Sequence, residues 1–387
     1  MFSSRLHWDL RPNPLAELLR AKREAGAAIL DLTESNPTSA GFCYPAEEIL
    51  DALAAPRSLL YQPSPAGLIT AREAIAGLYY APLGEEVDPS RILLTASTSE
   101  AYSHLIKLLT DPGDELLVPR PSYPLFEFLA NLESVRISHY PLVYDEGWSI
   151  DTDALARAIT KRTRAVVLVN PNNPTGSFLK IRELERLVSI CREHSLAIIS
   201  DEVFSDYAFA ADPARVSHLT SVDQALTFSL SGLSKVAGLP QMKLGWIVTG
   251  GPPAERAEAM ERLELIADTY LSVASPVQHA LPRLLEAGRN VREQIRQRTK
   301  QNLGALLALI RDSPYRTLQV EAGWYATVQA PRIRTEEEWA LELLERHNVL
   351  VQPGYFYDFD QDGLLVLSLL PPPEIFEEGV TRILASA

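Results

Sequence analysis

From residue 90 onward, short apolar runs alternate with amphipathic stretches. Residues 92–94, 116–118, 165–169, 197–199, 225–230 and 244–248 read as short strands without a polar face. Residues 100–109, 125–132 and 181–194 read as helices, the last with Leu184, Leu187, Val188 and Cys191 along one stripe. Strands that are apolar throughout and interleaved with helices predict an α/β fold, with a mainly parallel sheet covered on both faces.

Beyond Pro276 the pattern changes. Residues 277–310 read as one long connecting helix, broken near Gly288. Residues 318–328, a helix over 336–346, a strand near 364–369 and a final helix suggest a smaller α+β unit. An early helix over 15–25 is expected to pack on that unit. The expected division is a large domain over 46–275 and a small domain built from 1–45 and 276–387, consistent with a chain of 387 residues that exceeds one compact core.

Charge narrows the function classes. The chain carries 36 Lys+Arg against 50 Asp+Glu, a net charge of −14, which argues against a nucleic-acid surface. No apolar run approaches the roughly 20 residues that span a bilayer. The start, MFSSRLHWDLRPNP, has no apolar core of a secretory signal, so a soluble, cytoplasmic protein without a membrane partner is expected. Cys43 and Cys191 make neither a disulfide framework nor a cysteine zinc site, and no metal is expected.

Open α/β sheets hold ligands beyond the carboxyl ends of their strands, and the informative residues follow the predicted strands directly. The turn Asn170-Pro171-Asn172-Asn173-Pro174-Thr175-Gly176 follows one strand, and Asp201 ends another. Ser97-Thr98-Ser99 precedes a helix, and Ser231-Gly232-Leu233-Ser234-Lys235 follows a third strand. Each has a plain structural reading: the hydroxyls can cap the helix, Asp201 can be a solvated turn acid, and Asn173 a turn residue. Lys235 resists such a reading. It is one of only seven lysines, in an uncharged Gly/Ser/Leu stretch over 226–239. A lysine in apolar surroundings has a lowered pKa and forms Schiff bases.

Together the blocks resemble the class I/II aminotransferases among the fold-type-I pyridoxal 5′-phosphate (PLP) enzymes. The resemblance rests on Asn173-Pro174-Thr175-Gly176, Asp201-Glu202-Val203, and the run from Ser234-Lys235 through Lys243-Leu244-Gly245-Trp246. Tyr61 with Gly67 and Arg72, Pro121-Ser122-Tyr123-Pro124 and Pro353-Gly354 add to it. The resemblance implies that Lys235 holds PLP as a Schiff base and moves the substrate proton. It implies that Asp201 pairs with the pyridine nitrogen, Asn173 with the phenolic oxygen, and Tyr123 with the ring face. Thr98, Ser99 and Lys243 would hold the phosphate, joined by Tyr61 across a homodimer interface. Ser35 and Asn36 would lie in the substrate loop. The implied activity is amino transfer between an amino donor and a keto acid, in amino acid metabolism or biosynthesis. The alternatives are a PLP-dependent C–S lyase, β-eliminating enzyme or decarboxylase on the same fold, or a non-catalytic PLP sensor. A nicotinamide dehydrogenase is disfavoured, because no G-x-G-x-x-G follows a predicted strand.

Four positions depart from that family's pattern. Phe204 replaces a tyrosine, Lys243 an arginine, and Gly232 lacks a hydroxyl. Where the family carries its arginine for the substrate carboxylate, this chain reads Val366-Leu367-Ser368, with no Arg or Lys from His347 through Thr381. Either another cation, such as Arg332 or Arg334, takes that role, or neutral donors do, or the substrate lacks that carboxylate.

Overall fold

The computed structural model describes residues 2–8 and 11–386. Its centre is an eight-stranded sheet: β1 (Ile92–Thr95), β2 (Glu115–Arg120), β3 (Arg136–Tyr144), β4 (Trp148–Ile150), β5 (Thr163–Val169), β6 (Ala197–Asp201), β7 (Thr227–Gly232) and β8 (Gly245–Gly250). The spatial order is β1-β8-β7-β6-β5-β2-β3-β4. The pairs from β7 to β3 are parallel, whereas β8 runs antiparallel to both neighbours and β4 antiparallel to β3.

The continuous apolar runs follow from burial on both faces. Leu116, Val118, Val167 and Ile199 face a core shared with helices Thr98–Leu109, Leu125–Leu132 and Pro253–Asp268. Their neighbours Leu117, Val166, Leu168 and Ile198 face the opposite core, shared with helix Ile181–His194. Adjacent strand residues point to opposite faces, so both must be apolar.

A second sheet is antiparallel, with Arg316–Thr317, Tyr325–Gln329, Leu364–Ser368 and Gln352–Pro353 side by side in that order. Leu365 and Leu367 face a core with Trp339, Leu15 and Phe376, from helices Glu336–His347, Pro14–Glu24 and Pro373–Leu384. Leu30–Asp31 pairs in parallel with Val349–Leu350, which ties the start of the chain to its end.

Two expectations are corrected. The long helix Ser275–Ile310 is continuous and does not break near Gly288. Gly288 is there for closeness: a Cβ would fall on that of Ala237 and lie 2.8 Å from its Cα. The region expected as a strand over 318–328 pairs only from Tyr325 onward, and the residues before it form an irregular approach to the site. Helix Pro253–Asp268 went unanticipated because alanines supply much of its apolar character, leaving a weak stripe. No described helix is long and apolar enough to cross a membrane.

Ala237 lies two residues beyond Lys235, so the Gly288 contact sets the backing of the lysine turn. Gly288→Val should lower stability by about 1–3 kcal/mol through overpacking. Urea unfolding of the two proteins checks this; an equal or higher midpoint for the variant would contradict it.

Candidate active site

The carboxyl ends of β5, β6 and β7 lie side by side, and each delivers one polar group. Asp201 is the last residue of β6. Lys235 stands on the short helix Leu233–Val236, directly after β7. Asn173 belongs to the turn after β5, where Asn172 Nδ2 donates to Thr175 Oγ1 at 3.0 Å and to the Pro121 carbonyl at 3.2 Å. Asn172 therefore holds the turn together. Asn173 is buried, and its Oδ1 has no hydrogen-bond partner among the described residues.

Lys235 is pinned through its backbone, whose carbonyl accepts from Tyr207 Oη at 2.5 Å. Its Nζ lies 4.6 Å from the Trp324 ring centroid and 5.6 Å from that of Phe204. Burial pulls its pKa down to about 8, and the charge of Asp201 only partly opposes this. Burial acts in the opposite sense on Asp201, raising it to about 6. Tyr102 Oη donates to its Oδ2 at 3.2 Å and the Val203 N–H to its Oδ1 at 3.3 Å, which restrains the rise. The acid and the amine are thus drawn toward neutrality by one desolvated site.

Beneath Asp201, Glu202 is fully buried and satisfied. It accepts the Leu219 N–H and Ser229 Oγ, each at 2.9 Å, and meets His218 Nδ1 at 2.9 Å. Burial disfavours the His218 charge, but the hydrogen bond and charge of Glu202 outweigh it and raise its pKa.

The remaining sequence-predicted residues are distributed unevenly. Thr98 and Ser99 open helix Thr98–Leu109, but the capping is done by Ser97, whose Oγ accepts the Glu100 N–H at 3.2 Å. That leaves the Thr98 and Ser99 hydroxyls outside the cap. Tyr123 is half-exposed, beside Tyr325 and Tyr357. Ser35 lies beside Tyr325. Asn36 is engaged in its own turn instead: Oδ1 accepts from Thr38 Oγ1 at 2.7 Å, and Nδ2 donates to Ser39 Oγ at 3.0 Å. Lys243 is exposed, with φ +50°. Tyr61 is 80% exposed and rims a cavity of about 200 Å³ with Gly67, Ser272 and Gln278, apart from the lysine cluster.

Phe204 is buried against Trp324 and Tyr325, with ring centroids 5.3 and 6.3 Å away, and brings no hydroxyl to the site. Gly232 is closely paired: a Cβ there would lie 3.0 Å from Gly245 Cα across the β7–β8 pair. The two candidate arginines lie together beside Thr335 and Asp362, not against the lysine cluster. Arg334 Nε pairs with Glu342 Oε2 at 2.6 Å and its guanidinium lies 4.5 Å from the Trp339 ring, on the face of the strand opposite Val366. Arg332 is exposed. Tyr102, Tyr207, Trp324 and Tyr325 went unrecognised in the sequence, because each is an aromatic whose position only long-range contacts define.

An amine of lowered pKa, an acid beside it and a buried amide, gathered at parallel strand ends, define an enzyme that works on a cofactor through a lysine. They fit PLP, which offers an aldehyde to the amine, a ring nitrogen to the acid and a phenolic oxygen to the amide. The sequence profile described as aminotransferase class I and II matches residues 27–383, and the chain belongs to that family, whose members depend on PLP. It is 31% identical to glutamate-pyruvate aminotransferase AlaA of Escherichia coli (strain K12), over 97% of this chain and 94% of that one. It is 29% identical to arginine--pyruvate transaminase AruH of Pseudomonas aeruginosa, over 97% and 93%. Among solved structures, alanine aminotransferase from Pyrococcus furiosus matches with a TM-score of 0.89 and 25% identity, covering 100% and 99% of the two chains. The protein is a PLP-dependent transaminase.

The Asp201 shift carries a stability consequence. Its folded pKa of about 6 lies above the ordinary 3.8, so its contribution is fully present below pH 3.8 and is lost as pH rises through 6. Cofactor-free Asp201→Asn should therefore match wild type near pH 4 and exceed it at pH 8, by about 1–3 kcal/mol. Urea midpoints at the two pH values decide; an advantage that fails to grow with pH would refute the desolvation account.

Proposed function

We propose that Lys235 is the covalent anchor and the proton carrier of this transaminase, with Asp201 as the partner of the PLP ring nitrogen. The observation that carries the reading is the opposed pair of shifts, Lys235 down to about 8 and Asp201 up to about 6, in one desolvated cluster. When bound, PLP supplies an electron sink for the pair released from the substrate carbon. Lys235 Nζ, with a large neutral fraction near pH 8, is able both to attack an aldehyde carbon and to take a proton from the substrate carbon. A cationic ring nitrogen would favour the charged form of Asp201, and Tyr102 and the Val203 N–H stabilise that form. Asn173, buried in the turn after β5, would donate its Nδ2 to the phenolic oxygen.

Tyr123 would cover the ring face. The first-turn N–H groups and hydroxyls at Thr98 and Ser99 would receive the phosphate at the helix N-terminus, with Lys243 as countercharge. Tyr61 would act from the second subunit of a homodimer; its exposure supports that assignment. Ser35 would border the substrate through Tyr325, whereas Asn36 serves its turn. A large cofactor domain over 46–275, a small domain from 1–45 and 276–387, a cytoplasmic location and a role in amino acid metabolism or biosynthesis complete the reading.

The test is a pair of half-reactions on the holoenzyme. An amino donor should convert the visible absorption of bound PLP to that of its amino form, and a carbonyl acceptor should restore it. Lys235→Ala should slow the first conversion by about 10²–10⁴-fold or more, the range of a lost acid–base group. Release of ammonia or CO₂ without formation of the amino form would instead establish a lyase or decarboxylase. A further outcome concerns Phe204. Restoring a phenol with Phe204→Tyr should move the pH midpoint of the holoenzyme's visible spectrum downward, because an added donor stabilises the ionised phenolic oxygen. A midpoint that stays or rises would contradict the placement of that ring.

A further inference from the structure

Beyond Lys235 and Phe204 the packing continues into an uncharged cluster. Tyr325 packs both on the Phe204–Trp324 cluster and on a second one built from Leu318, Tyr357, Phe359, Leu364 and Val366. Val366 is 1% exposed, and its register is fixed from both sides, opposite Thr327 and Gln352. Strand alternation turns it to the Tyr357 face, whereas Leu365 and Leu367 turn away toward Trp339.

The described cations around this cluster are already engaged. Arg120 Nε donates to the Asp358 carbonyl at 3.0 Å, and its Nη1 lies 3.4 Å from Asp360 Oδ1. Arg298 Nη1 donates to the Leu370 carbonyl at 3.2 Å, with its guanidinium 5.0 Å from the Phe42 ring. Arg334 is held by Glu342 on the opposite face. The acids nearest the site are Asp201 at the end of β6, beside Lys235, and Glu34 near Tyr325, while Glu202 is paired with His218. A carboxylate moved from water against this cluster loses hydration and finds no cation among the residues that build it. An alkyl or aryl group loses nothing there and gains burial.

We infer that the preferred substrate of this site is a primary amine, or the matching aldehyde or ketone, whose reacting carbon bears no carboxylate. The inference rests on the transaminase reading above and names its substrate class. The overall exchange balances without an outside oxidant: the amine becomes a carbonyl compound, the acceptor carbonyl becomes an amine, and oxygen and nitrogen change places. Val366 acts here by exclusion, since it withholds the charge that a carboxylate would need.

Matched pairs test this on the holoenzyme: phenylalanine with phenylethylamine, norvaline with butylamine, and glutamate with 4-aminobutyrate. Conversion of bound PLP to its amino form is followed for both members of each pair. The expected result is a kcat/KM for the carboxylate-free member of phenylalanine and norvaline at least about tenfold higher, and the same direction for the third pair. Equal rates, or faster conversion of the α-amino acids, overturn the inference and leave transamination standing. Binding of PLP with no conversion by any member would remove the transaminase reading and the inference with it. Val366→Arg should reverse the preference by about tenfold or more, and Val366→Leu should leave it unchanged. If Val366→Arg does not fold, the wild-type pairs alone decide.

Discussion

Desolvation at the ends of β6 and β7 is the constraint on which the rest of this structure depends. Lys235 and Asp201 could be a solvent-exposed ion pair and would then be chemically ordinary. Here burial pushes the amine down to about 8 and the acid up to about 6, and their mutual attraction recovers only part of that cost. Much of the surrounding architecture limits the access of water to these two half-buried groups. Trp324 and Phe204 pack on the amine, Tyr207 fixes the lysine backbone, and Gly288 lets the long helix approach Ala237 closely. The protein therefore keeps a destabilised pair that a charged cofactor can relieve, the usual exchange of stability for function.

The parts of this arrangement that could be read from the sequence were local ones. The strands showed because residues buried on both faces leave uninterrupted apolar runs, and Asp201, Asn173 and Lys235 showed because each directly follows such a run. Residues that act through distant contacts did not show. Tyr102 looks like any core aromatic of a helix until its hydroxyl is found on Asp201, 99 positions away. Trp324 lies in an irregular approach to a strand, so no periodicity marks it. Gly288 illustrates the opposite error: a glycine within a helix suggested a break, while its role is to admit Ala237.

The departures from the family pattern have separate physical origins. Gly232 sits in close strand pairing, where a Cβ would be a tight 3.0 Å from Gly245 Cα. Phe204 exchanges a polar donor for an aromatic contact and deepens the desolvation around Lys235. Val366 joins Tyr357 and Phe359 in an apolar cluster that Tyr325 links to the lysine. The last two changes act together: both remove polarity from the surroundings of the lysine and of Tyr325. Likeness over nearly the full length preserves the cofactor chemistry, while this cluster is free to differ.

The central claim is that Lys235, among seven lysines, is the amine of lowered pKa that the cofactor takes. Borohydride reduction of the PLP-loaded protein, followed by peptide mapping, tests it most directly. The account predicts one phosphopyridoxyl group per chain, on Lys235, forming readily at pH 8. Modification spread over the surface lysines, or absent from the peptide that carries Lys235, would contradict it.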